Sequence, residues 1–316
     1  MNILFTFEPV PYLVEDIENQ FPNCTFSYVK RIADEQDKLQ DAEIIVTYGE
    51  DLTDEQIKRA EKLKWIMVAS AGLEKMPFKA IKAKNILVTN AKGIHKVPMA
   101  EFTLGLMLQH VKNFTSIKKQ EEQQNWSRRL PMSELYGKTV LILGAGAIGG
   151  ELARLAKAFN MNVIGVNRSG KEVENVDQVL TISAIDDVLN KADFIISVLP
   201  STNETKYLLT DSHFNKMKQS AVFINIGRGD LVDEEVLLKA IQEKKIDHAY
   251  LDVFREEPLP KDHQFWSMDG ITVTPHISSI TKNYQPRALD IFKQNLNTYI
   301  NKENHFINVI DVEKGY

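Results

Sequence analysis

Four residues in the C-terminal half have the types that anion binding and proton transfer need: Arg228 between Gly227 and Gly229, then Asp252, Glu257 in the run REEPLP, and His276 after Pro275. They follow three short β-rich runs, Ala221 to Asn225, His248 to Asp252 and Ile271 to Thr274. Ligands of open parallel sheets gather outside the carboxyl ends of the strands, so the four groups are expected on one rim. There the Arg228 guanidinium can fork onto a carboxylate and polarise the adjoining carbonyl, with two glycines freeing its backbone. A histidine titrates near neutrality, which suits His276 to giving and taking a proton. Glu257 can accept the other ring N–H of His276, fixing the tautomer and stabilising the imidazolium. Asp252 is placed to hold a nicotinamide amide. Taken singly, each has a structural reading too: a turn residue, a solvated loop, a structural histidine. Together they meet two needs of 2-oxo acid reduction, a cation for the carboxylate and an acid for the oxygen on which negative charge grows.

The third need, a hydride donor, has its seat in Thr139 to Ser169. The apolar run Thr139 to Leu143 leads into Gly144, Gly146 and Gly149 at G-x-G-x-x-G spacing, and Leu152, Leu155, Ala156 and Phe159 continue on one helical face. Gly144 allows the tight turn, Gly146 lets the backbone approach a pyrophosphate, and Gly149 lets helix and strand pack closely, while the helix N-terminus favours the phosphates. The candidate cofactor-binding set is Gly144, Gly146, Ala147, Ile148, Gly149, Asn167, Arg168, Ser169, Pro200, Thr205, Ile226, Gly227 and Asp252. The second strand, Val163 to Val166, ends in Asn167-Arg168-Ser169, with no carboxylate for a ribose 2′-hydroxyl. Arg168 is a cation for a 2′-phosphate, so NADP is expected as cofactor, with NAD as second choice.

The elements that must position these groups repeat a strand–helix alternation. Ile3 to Phe7, Phe26 to Val29, Glu43 to Thr47, Trp65 to Val68 and Ile86 to Val88 predict a first parallel sheet. Thr53 to Gln56 has capping-box spacing ahead of a helix. Ala71 and Gly72 follow the fourth run and are candidate substrate-carboxylate contacts, with Arg228 and His276 completing the substrate set. Pro98 to Phe114 reads as one long apolar helix, Asn125 to Tyr136 as an irregular arm, and Ser183 to Lys191 as a helix. A second parallel sheet of six main strands is expected, and the final helix, Tyr284 to Asn301, is expected to return to the first domain. The fold class is therefore α/β with two domains: a Rossmann doubly wound sheet inserted into a smaller flavodoxin-like α/β substrate domain. The boundaries are expected at 1–98 plus 277–316 for the substrate domain and 99–276 for the dinucleotide domain.

Composition narrows the partners. A 316-residue chain with 43% hydrophobic residues suits two domains, and a net charge of −5 offers no basic surface to nucleic acid or anionic lipid. No stretch approaches the ~20 apolar residues of a membrane span. The N-terminus has no signal-peptide pattern. One cysteine, Cys24, excludes an internal disulfide or thiolate cluster; no metal is expected, and a reducing cytoplasm is.

The segments GAGAIGGELARLAKAFNMNVIGVNRS, NIGRGDLVDEEVLLKAI, YLDVFREEPLP and VTPHISS, in that order and spacing, resemble the D-isomer-specific 2-hydroxyacid dehydrogenase family. TNAKGIHKVPMAEFTLGLML resembles its interdomain helix, so the likeness covers residues 65 to 280. The resemblance implies catalytic Arg228, Glu257 and His276, a carboxamide partner at Asp252, and a homodimer formed through the nucleotide domains. It implies reduction of a small 2-oxo acid to a D-2-hydroxy acid by NAD(P)H, as a glyoxylate/hydroxypyruvate reductase-like enzyme. The glutamate at 257 disfavours formate as substrate, and the end at Tyr316 disfavours a phosphoglycerate dehydrogenase with an appended regulatory domain. The alternative is a dinucleotide-dependent corepressor on the same fold.

Overall fold

Short apolar runs alternate with helical segments, and in the computed structural model, which describes residues 1–30, 32, 36–73 and 75–313, they form two parallel sheets. Contacts divide the chain into two units, Met1–Ile94 with Thr281–Tyr316, and His95–Ile280.

The first unit holds β1 (Asn2–Phe5), β2 (Thr25–Tyr28), β3 (Ile44–Thr47), β4 (Trp65–Val68) and β5 (Leu87–Asn90). Their order is β2-β1-β3-β4-β5, the flavodoxin-like winding. Every residue of β3 and β4 is buried, as a sheet covered on both faces requires. One cover is the helix Tyr284–Ile300, which sets Ala288, Leu289, Phe292 and Leu296 into a core with Ile17 and Trp65. Phe292 stacks on Trp65 with centroids 5.6 Å apart. The C-terminal segment thus completes the first unit, and the second is inserted in it. The capping box forms: Gln56 N donates to Thr53 Oγ1 at 3.3 Å and Thr53 N to Gln56 Oε1 at 2.8 Å.

The second unit holds β6 (Thr139–Leu143), β7 (Asn162–Val166), β8 (Gln178–Leu180), β9 (Phe194–Ser197), β10 (Val222–Asn225), β11 (His248–Leu251) and β12 (Ile271–Val273). The order β12-β11-β10-β9-β6-β7-β8 is doubly wound, with its switch between β6 and β9. The sheet has one strand more than expected: β8 is a three-residue edge whose residues are exposed or half-buried, which leaves it without an apolar run. The helix expected over 183–191 is instead two 3₁₀ segments, Ile182–Asp187 and Leu189–Lys191. Ile182, Ile185 and Val188 recur every third residue, the period of a 3₁₀ turn, and all three join the core. The long helix after β5 runs Lys96–Lys112 and stops at Asn113, left-handed with φ 54°; a second helix, Phe114–Glu122, then begins.

The divisions at 94/95 and 280/281 lie a few residues from the crossings expected at 98/99 and 276/277. The reason is local. The helix already begins at Lys96, and the N–H groups of Ile277 and Ser278 bond to Asp252, so residues 277–280 travel with the second unit. Among the described residues no helix is long and apolar enough to cross a membrane, and no His/Cys/Asp/Glu cluster could hold a metal ion.

Candidate active site

The glycine loop leaves β6 at Gly144, whose φ of +106° an L side chain would strain. A Cβ on Gly149 would lie 2.3 Å from the Gly144 carbonyl oxygen, so only glycine lets the helix Ala147–Ala158 sit this close to the strand. A Cβ on Gly146 would meet nothing within 4 Å. That open cradle faces a helix start with no side-chain cap and no acidic residue in its first turn. The N–H groups of Ala147, Ile148 and Gly149, in that first turn, have no acceptor within the helix. The residues present therefore fit a dinucleotide pyrophosphate.

After β7, Asn167 Oδ1 accepts from Ser169 N at 3.1 Å and Gly170 N at 2.7 Å, and its Nδ2 donates to the Lys171 carbonyl at 2.8 Å. Its side chain is thus used to fold the loop that presents Arg168 and Ser169, both exposed. After β9, the buried Thr205 hydroxyl donates to the Pro200 carbonyl at 2.6 Å and so shapes the loop rather than standing free.

Past β10, Ile226 and Gly227 are buried, and a Cβ on Gly227 would fall 2.6 Å from the Leu199 carbonyl oxygen. A Cβ on Gly229 would fall 2.0 Å from the Phe254 carbonyl carbon. The glycines flanking Arg228 thus serve close packing of the β10 loop, Gly227 against the β9 loop and Gly229 against the β11 loop. Asn225 locks the same turn: its amide donates to the Arg228 carbonyl at 2.9 Å and its oxygen accepts from Gly227 N at 3.1 Å. Arg228 is exposed, with Nη1 on the Gly227 carbonyl at 2.8 Å.

Glu257 uses both oxygens. Oε1 accepts from Phe254 N at 2.9 Å, which fixes the carboxylate, and Oε2 lies 2.7 Å from His276 Nδ1. A carboxylate accepts only, so Nδ1 carries the proton and Nε2 is the free ring position. Asp252, 1% exposed, accepts from Thr274 Oγ1 at 2.6 Å, Ile277 N at 2.9 Å and Ser278 N at 3.0 Å. In the first unit, the loop after β4 holds Ala71, half-buried, and Gly72, exposed. Ser70 Oγ donates to the Tyr48 carbonyl at 2.9 Å and Asn90 Nδ2 to the Ala71 carbonyl at 3.1 Å.

The sequence of residues 104–278 matches the model of a known family, described as D-isomer specific 2-hydroxyacid dehydrogenase, NAD binding domain. This chain belongs to the D-isomer-specific 2-hydroxyacid dehydrogenases. Among relatives of this dehydrogenase, D-3-phosphoglycerate dehydrogenase of Methanocaldococcus jannaschii is 36% identical over 84% of the chain, which spans about half (51%) of that protein. Glyoxylate reductase of Pyrococcus furiosus is 30% identical over 82% of the chain and 80% of its own length. A solved D-isomer specific 2-hydroxyacid dehydrogenase family protein from Aeromonas salmonicida subsp. salmonicida superposes with a TM-score of 0.86 at 30% identity, covering 98% of this chain and 99% of that one.

Sequence reading of this dehydrogenase missed the residues that build the turns. Asn225 and Thr274 carry no motif of their own. The available signal was a polar residue at the end of an apolar strand, two or three positions before each reactive group.

Proposed function

We propose that this dehydrogenase is an oxidoreductase reducing a small 2-oxo acid to the D-2-hydroxy acid with NAD(P)H. The observation that carries the reading is the 2.7 Å contact between His276 Nδ1 and Glu257 Oε2, past the carboxyl ends of β12 and β11, which continue the sheet in order from β10, the strand that leads to Arg228. A bound reduced nicotinamide dinucleotide supplies the hydride. Arg228 binds the substrate carboxylate by its guanidinium fork and draws charge toward the carbonyl oxygen. In the first unit, the N–H groups of Ala71 and Gly72, without partners among the described residues, suit an anion. His276 gives its Nε2 proton to the oxygen as negative charge grows there, and the Glu257 carboxylate holds the ring and balances the imidazolium.

NADPH is the preferred cofactor in this reading. Arg168 is exposed and, among the described residues, makes no ion pair, and the first acid after β7 is Glu172. The protein acts as a homodimer in the cytoplasm. Support for the dimer comes from the segment after the helix Lys96–Lys112, where Trp126 is 95% exposed and Phe114, Met132 and Tyr136 are exposed as well. Such a collection of bare apolar side chains calls for a protein partner.

A panel of 2-oxo acids that includes glyoxylate, hydroxypyruvate and branched-chain members tests the reading by NADPH absorbance. At least one acid consumes the cofactor; inertness to the whole panel would overturn the enzymatic assignment.

A further inference from the structure

Asp252 stands one residue past the end of β11 with its carboxylate buried, and all three groups donating to it belong to residues 274–278. His276 lies in the middle of that stretch with φ +53°, a left-handed conformation uncommon outside glycine, though Asn, Asp and His enter it more readily than other residues. Its own N–H closes onto the Thr274 carbonyl at 3.0 Å, so the turn is tight on both sides of the ring. A buried carboxylate left without donors is costly, which ties the three donors to it and the turn to β11.

The geometry points to Asp252 as a positioning residue: its carboxylate pins the turn at residues 274–278 so that the His276 ring meets Glu257. The inference rests on the reading of His276 as proton donor. It also explains why the residue is an acid. Oδ1 accepts from Thr274 Oγ1 and Ile277 N while Oδ2 accepts from Ser278 N, so every contact is a donor and the carboxylate only accepts. An asparagine must turn its NH₂ toward at least one of these donors, breaking a bond. Displacing His276 relative to the reacting carbonyl then slows turnover, while the glycine cradle keeps its geometry. A cofactor contact made by Asp252 acts the other way, on affinity first.

The test uses the full chain at saturating NADPH with the best acid of the panel, and reads kcat beside the NADPH dissociation constant from nucleotide fluorescence. Asp252→Asn is expected to lower kcat about 10- to 100-fold while the dissociation constant stays within about twofold. Thr274→Val, which removes one of the three donors, gives the same split at several-fold size. If Asp252→Asn shows no cooperative melt, Thr274→Val decides alone. His276→Asn separates this inference from the reading beneath it. Full turnover in His276→Asn sinks the proton-donor reading itself. An inactive His276→Asn with unchanged kcat in Thr274→Val overturns the positioning role, and so does an Asp252→Asn that loses NADPH affinity at unchanged kcat.

Discussion

Three side chains separate binding from chemistry. In the proposed mechanism His276 contributes Nε2–H as charge develops on the substrate oxygen, with Nδ1 held by Glu257. His276→Asn should therefore bind NADPH normally and lose on the order of 10²–10⁴ in kcat; turnover at the wild-type level would remove the residue from the mechanism. Arg228 is tied to its own loop through one nitrogen, Nη1 on the Gly227 carbonyl, leaving the rest of the fork for a carboxylate. Arg228→Lys replaces the planar fork by a point charge, so KM for the 2-oxo acid should rise while kcat falls. An unchanged KM is the result that argues against a carboxylate clamp. Arg168 sits on a loop whose shape Asn167 already maintains, so its truncation tests charge alone. Arg168→Ala should weaken NADPH binding by about 1.5–3 kcal/mol and leave NADH nearly unchanged. Comparing kcat/KM for the two cofactors checks it, and equal losses on both would falsify the 2′-phosphate role.

At the scale of elements, the opposite end of the second sheet sets a pH limit on stability. His248 opens β11, with Nε2 2.8 Å from Thr272 Oγ1 on β12, and its ring lies 5.8 Å from that of His110 on the helix Lys96–Lys112. Burial pushes the His248 imidazole down to about 4, with His110 adding to the effect and Asp247 opposing it. Burial pushes His110 down as well. An unfolded histidine titrates near 6.5, so between about pH 6.5 and pH 4 the unfolded chain binds the extra protons. Stability is therefore complete above that window and is lost as pH falls through it, by up to about 3 kcal/mol for His248. His248→Gln cannot take up that proton. Melting temperatures measured from pH 7 to 4.5 should fall less steeply in the variant, and parallel curves would show that His248 is not the group responsible.

The whole molecule has an unbalanced surface. Residues 123–134 run without regular structure beyond the helix Phe114–Glu122, and Trp126 at their start is 95% exposed. If a second copy covers this arm, Trp126 is the kind of large aromatic that dominates an interface. Trp126→Asp should raise the dimer dissociation constant at least ~30-fold, the equivalent of a ~2 kcal/mol hot spot. Light scattering across a dilution series reads it; a variant as dimeric as the wild type would move the interface elsewhere.

The sequence by itself determined the architecture, because that information is periodic and local. Buried strands read as four- or five-residue apolar runs, and the glycine spacing at 144, 146 and 149 reads as a dinucleotide turn before any contact is known. The order of Arg228, Glu257 and His276 after successive strands was legible for the same reason: a parallel sheet brings its carboxyl ends to one rim. The edge strand β8 and the 3₁₀ segments were not, since three half-exposed residues and a three-residue repeat carry too little pattern. Only the tertiary structure decided how the side chains share their hydrogen bonds. Asp252 and Asn167, expected from sequence as cofactor contacts, also hold loops, and Asn225 and Thr274, singled out for no role, brace Arg228 and Asp252. A hydrogen bond depends on which donors converge within about 3 Å, and residues 252 and 278 come together only once β11 and β12 pair.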